Sequence, residues 1–142
     1  MLSTQLQQLF DEYHQAFREQ DITKVLACYH LPCTLVTPDR LVLLTNISEA
    51  TAEFEQIFSG LNGLAIQSFK ALSASYGKIA DNIIAANVHW QFVDQNNTII
   101  ADFCALYHIL KCEQQLKIVQ VISHENEQAI TLPFSLNLSE TV

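Results

Sequence analysis

"ADNIIAANVHWQFVDQNNTIIADFCALYHIL", residues 80–110, is the stretch whose reading decides the fold. Two runs rich in aliphatic and aromatic side chains, 80–93 and 98–110, flank the polar tetrapeptide Asp94-Gln95-Asn96-Asn97, which has the composition of a hairpin turn. If Val93 pairs with Thr98, alternation places Ile84, Ala86, Val88, Trp90 and Phe92 on one face with Ile99, Ala101, Phe103, Ala105 and Tyr107. That face is the expected core. The other face carries Asn87, His89 and Gln91 against Ile100, Asp102, Cys104, Leu106 and His108, with His89 directly across from Asp102. Half polar and half apolar, it suits contact with another subunit better than open water. The expected dimer interface is therefore His89, Gln91, Asp102, Cys104, Leu106 and His108.

Working outward, residues 64–76 and 116–123 read as two further strands, so everything after Gly63 is expected to be sheet. Upstream, Leu2, Leu6, Leu9, Phe10, Tyr13, Ala16 and Phe17 recur at helical spacing over residues 2–19, and Thr4 with Gln7 can form a capping box. Asp21 is the expected N-cap of a short second helix, with Ile22, Val25, Leu26 and Tyr29 on one face and Pro32 ending it. "CTLVT" and "RLVLLT", separated by the turn signal Pro38-Asp39, read as a short hairpin or bent pair of strands. Asn46 with Glu49 opens a third helix whose Ala50, Phe54, Ile57, Phe58 and Leu61 share a stripe, and Asn62-Gly63 closes it.

Composition bounds the function. A chain of 142 residues fits one domain with a real core. Hydrophobic residues make up 49% and charged ones 15%, which excludes disorder and leaves apolar surface for an interface or a ligand groove. A net charge of −8 repels phosphate backbones and anionic bilayers, so neither nucleic acid nor membrane is an expected partner. The N-terminal "MLSTQLQQLF" lacks the basic and apolar regions of a leader, and the expected setting is cytoplasmic. Cys28, Cys33, Cys104 and Cys112 are then expected to be free thiols.

Cys28-x-His30-x-x-Cys33 offers three zinc-ligand types without a fourth partner at ligand spacing, so no metal and no cofactor is expected. Tyr13 sits inside the first apolar stripe, either as a core tyrosine or as a pocket hydroxyl. Asp39 reads as a turn residue, with a displaced catalytic base as the alternative. His89 and Asp102 read as a cross-strand pair; only a one-residue slip would turn Asp102 inward as a buried acid. The tail "AITLPFSLNLSETV", residues 129–142, is apolar and carries Pro133, so it is expected to lie extended over a sheet edge, the pocket mouth or a partner subunit.

The element order, together with "YHQAFREQDITKVLACYHLPCTLVTP" at 13–38 and "LYHILKCEQQLKIVQVISHE" at 106–125, resembles the nuclear transport factor 2-like superfamily, which includes ketosteroid isomerases and SnoaL-like polyketide cyclases. The resemblance covers residues 2–125. It implies an α+β cone-shaped barrel, three N-terminal helices packed on a curved and mainly antiparallel sheet, formed by residues 1–125, with 126–142 as an extension packed on the domain or a partner subunit. It also implies a conical pocket, with Tyr13, Phe17, Thr37, Phe54, Phe58, Trp90, Phe103 and Tyr107 as its expected lining. Tyr13 falls where the isomerases keep the tyrosine that donates to the developing oxyanion. Thr37 falls where they keep their carboxylate base, and a threonine hydroxyl cannot shuttle protons near neutral pH.

The favoured expectation is thus a homodimeric binder of a small apolar molecule. The alternatives are an acid/base enzyme using Tyr13 with Asp39 or Asp102 on a carbonyl-bearing substrate, and a non-catalytic dimerisation or protein-binding domain whose cone is packed solid.

Overall fold

In the computed structural model, which describes residues 1–126 and 130–138, three helices pack against one curved sheet. Helix α1 spans Leu2–Glu19 and buries Leu6, Leu9, Phe10, Tyr13 and Ala16, as its apolar spacing requires. Its start differs from expectation: Met1 is the N-cap and its carbonyl accepts from the Gln5 amide at 3.1 Å, so the helix is already under way at Thr4 and the Thr4–Gln7 box does not form. Helix α2, Ile22–Ala27, is capped by the Asp21 carboxylate accepting from the Lys24 amide at 3.2 Å.

Helix α2 is shorter than its sequence pattern implies. It stops at Cys28, and Tyr29 begins strand β1, Tyr29–Thr37, rather than closing the helix face. Pro32 therefore interrupts a strand, and it lies where the register of β1 on its neighbour shifts, so a missing ladder donor costs little there. Strand β2, Arg40–Leu44, returns antiparallel across the Pro38-Asp39 turn with Thr37 opposite Arg40. Helix α3, Ile47–Asn62, opens as expected: Asn46 accepts from the Glu49 amide at 2.9 Å, and the Glu49 carboxylate accepts from the Thr45 amide at 2.8 Å. That bond holds the Glu49 carboxyl below its ordinary pKa.

Strands β3 (Ser68–Ala80), β4 (Ile83–Val93), β5 (Ile99–Cys112) and β6 (Gln115–His124) form a meander, and a short β7 (Phe134–Ser135) follows. The strand order is β2-β1-β6-β5-β4-β3-β7, antiparallel throughout except for the β1–β6 pair. Three helices against this one curved sheet make the α+β cone.

The decisive hairpin keeps its expected faces but not its expected partners. Asp94 closes the turn by accepting at its side chain from the amides of Asn96 and Thr98; Val93 pairs with Ile99, one residue beyond Thr98, and a bulge between Phe92 and Val93 adds a second, so the ladder moves by two residues. A shift of two preserves which side each residue faces. Trp90 stands opposite Phe103 and Ala86 opposite Tyr107, whereas His89 stands opposite Cys104 rather than Asp102. Ile99, beyond the bulge, leaves the core face and is 53% exposed.

Residues 130–138 wrap the free edge of β3. The Asn87 amide donates to the Ile130 carbonyl at 2.8 Å on the convex side, and the Leu132 amide donates to the Ser75 hydroxyl at 2.9 Å. Tyr76 pairs with Phe134, Leu136 is buried, and the Asn137 carbonyl accepts from Gln7 on α1 at 2.9 Å. Of the apolar tail, residues 129 and 139–142 lie outside the described residues. Among the described residues, no helix is long and apolar enough to cross a membrane.

Candidate functional site

The concave side of the sheet and the helices enclose a cavity of about 310 Å³. Alternation on β4 and β5 sends Trp90, Phe92, Phe103, Ala105 and Tyr107 into it. Helix α1 contributes Tyr13, His14 and Phe17, and α3 contributes Glu53, Phe54, Ile57 and Leu61. Strands β1 and β2 supply Tyr29, Leu35, Thr37, Arg40 and Val42.

Rings brace this wall edge to face. Phe69 and Phe92 stand 4.7 Å apart, Phe92 and Phe103 5.3 Å, and Phe17 and Phe58 5.2 Å between centroids, all close to perpendicular.

A group of phenols occupies one region of the hollow. The hydroxyls of Tyr13 and Tyr29 share a hydrogen bond of 3.1 Å, and the Trp90 indole N–H donates to the Tyr107 hydroxyl at 2.9 Å. Burial pushes all three tyrosines well above their ordinary pKa, so they remain neutral donors and acceptors and cannot act as phenolate bases. The Tyr13 hydroxyl also interacts with that of Tyr107, so the three phenols form one linked group of donors and acceptors. His14, also on the wall, is lowered in pKa by burial, which favours its neutral ring.

The remaining charged groups on the wall are Arg40 and Glu53. The Arg40 guanidinium donates to a Glu53 carboxylate oxygen at 3.4 Å, joining the start of β2 to α3. Glu53 is mostly enclosed, with 13% of its side chain exposed, while Arg40 is 60% exposed.

Of the eight pocket residues expected from sequence, Tyr13, Phe17, Thr37, Phe54, Trp90, Phe103 and Tyr107 line the cavity. Phe58 does not. It is buried behind the wall, against Phe17 and Phe54. The structure does not bring Asp39 or Asp102 to Tyr13. Asp39 is exposed in the β1–β2 turn, and strand alternation sends its neighbour Arg40 inward with Val42 instead. Asp102 lies on the convex face, where it accepts from Asn126 at 2.7 Å and contacts the His89 ring at 2.5 Å along a diagonal of the ladder.

Sequence reading missed Tyr29, His14 and Glu53. Glu53 falls at helical spacing within the stripe Ala50, Phe54, Ile57 and Leu61, which was the available signal. Tyr29 was hidden by the overlong second helix.

The expected interface residues all sit on the convex face. Cys104 is buried with its thiol bonded to Asn126 at 3.3 Å, and Leu106 and His108 are half-buried. Cys28 and Cys33 are buried thiols, each pushed up to about 11 by desolvation. All four cysteines are free, and no group that could hold a metal occurs among the described residues.

This α+β cone with an internal hollow defines the nuclear transport factor 2-like class of folds. Residues 4–126 match the family of NTF2-like proteins (DUF6841), and the chain belongs to it. Among curated proteins none matches. An NTF-2 like protein of unknown function from Shewanella oneidensis superposes with a TM-score of 0.70 at 12% identity, covering 88% of this chain and 100% of that one. An NTF2-like protein of unknown function from Pseudomonas putida gives 0.67 at 15% identity, covering 96% of each chain. Aln2 from a Streptomyces species gives 0.70 at 8% identity, covering 89% of this chain and 91% of that one. At these identities the likeness is one of fold.

Proposed function

We propose that the protein binds a small, largely apolar molecule inside the cone, its oxygen seated on the Tyr13–Tyr29 hydroxyls. The observation that carries this reading is the hollow itself. At about 310 Å³ it falls at the lower end of the ~300–1,000 Å³ typical of ligand pockets, and it is walled by rings with a few convergent polar groups. A cone packed solid for protein contact alone would have no such space. Trp90, the single tryptophan, is on the wall and reports occupancy by its fluorescence. Titration with small lipophilic alcohols and ketones is expected to change Trp90 emission and raise the melting temperature, and Ala105→Phe, which fills the hollow, is expected to abolish both responses. Unchanged emission and melting across the panel would remove the proposal.

An acid/base activity on a carbonyl-bearing substrate has one observation in its favour, the presence of Tyr13 and Glu53 in the same cavity. It would use Glu53, since Asp39 and Asp102 do not line the space.

We also infer a homodimer through the convex face, supported by its mixture of half-buried Leu106 and His108 with polar His89 and Gln91. Light scattering should give twice the chain mass, falling to one on Leu106→Glu; a monomer in the unsubstituted protein would reject it. A cytoplasmic setting accords with the free thiols.

A further inference from the structure

We propose that the ligand carries a cationic nitrogen which takes the place of the Arg40 guanidinium on Glu53. The inference deepens the binding reading above and rests on it. Glu53 is the cavity-wall carboxylate, its side chain 13% exposed, and the one partner it has among the described residues is Arg40, through a single contact of 3.4 Å. Arg40 is the opposite case: its side chain is 60% exposed at the end of a turn and can be solvated where it stands. Exchange is therefore lopsided. A ligand cation that displaces Arg40 leaves the guanidinium in water and Glu53 still paired. A ligand anion that captured Arg40 would strand an enclosed carboxylate without its partner, which is the costly arrangement.

Two further features point the same way. The bound guanidinium shows that a nitrogen cation fits against Glu53. The net charge of −8 draws cations towards the protein and repels anions. The ligand class is thus an amine on a compact apolar body.

The test uses octylamine, octanol and octanoate below their aggregation concentrations, with Trp90 emission as the readout in the full chain at neutral pH. Octylamine is expected to bind about tenfold tighter than octanol, and octanoate more weakly than either. Glu53→Gln is expected to erase the amine's advantage over octanol, and Arg40→Gln is expected to tighten octylamine by removing its competitor. Preference for octanoate, or an amine preference that survives Glu53→Gln, would overturn the proposal. Equal binding of octanol and octylamine would overturn it while sparing the apolar pocket. Failure of all three to alter Trp90 emission would bring down both.

Discussion

The concave face of the β4–β5 hairpin has two halves that behave differently. In the first, Ile84, Ala86, Val88 and Ile109 are packed solid against Leu6, Phe10 and Val25, each at most 1% exposed. In the second, Trp90, Phe92, Phe103 and Ala105 on the same face border a hollow. Tyr107 stands between them, with Phe10 at 4.9 Å on the packed side and its hydroxyl under Trp90 on the open side. Aliphatic side chains adjust their rotamers to fill the space the helices leave; rigid rings set edge to face prop each other apart and preserve it. The open half is where Phe69, Phe92 and Phe103 meet edge to face.

Truncation is the most forceful way to break this contrast. Phe10→Ala in the packed half should cost about 3–5 kcal/mol in urea unfolding, whereas Phe103→Ala, partly exposed and facing existing space, should cost less than half as much. Equal losses would mean that the open half is as tightly filled as the other. A smaller effect sharpens the role of the hydroxyls: Tyr29→Phe should lower stability by about 1 kcal/mol and should weaken binding of oxygen-bearing guests more than that of hydrocarbons. If both guests respond alike, the hydroxyl is structural.

The smallest effect tests the convex side of the same strands. The contact with His89, then the Asn126 bond, holds the Asp102 carboxyl below its ordinary pKa in the folded chain. Its stabilisation is therefore complete above about pH 4 and is lost as pH falls through the lowered folded value. Asp102→Asn should soften only that acid limb, by an amount kept small by solvent at a 36% exposed side chain. A change in stability at pH 3 as large as that at neutral pH would contradict this placement.

Much of this was legible from periodicity. The stripe of α1, the Asn46 cap of α3 and the inward aromatics of β4 and β5 all follow from spacing and local chemistry. Faces survived even where partners did not, because the turn and the bulge at Val93 together moved the ladder by two residues, an even number. What could not be read depended on contacts remote in sequence. Tyr29 becomes a strand residue because β1 finds β6, and no local pattern announces that pairing. Arg40 and Glu53 look like ordinary surface charges until the turn and α3 are placed side by side. Nothing in the volumes of Trp90 or Phe103 distinguishes filling a core from ringing a void.

The parallel seam between β1 and β6 has a consequence in time. The meander from β3 to β6 joins neighbours through short turns, but Tyr29 must meet Ile118 across most of the chain, a closure that pays its entropy before it gains any contact. The meander is therefore expected to assemble early as an open curved sheet, with docking of β1, which brings Tyr29 against Tyr13, as the late event. A molecule held in the cone would act on that step above all, slowing the undocking of the seam and thereby the unfolding of the whole chain.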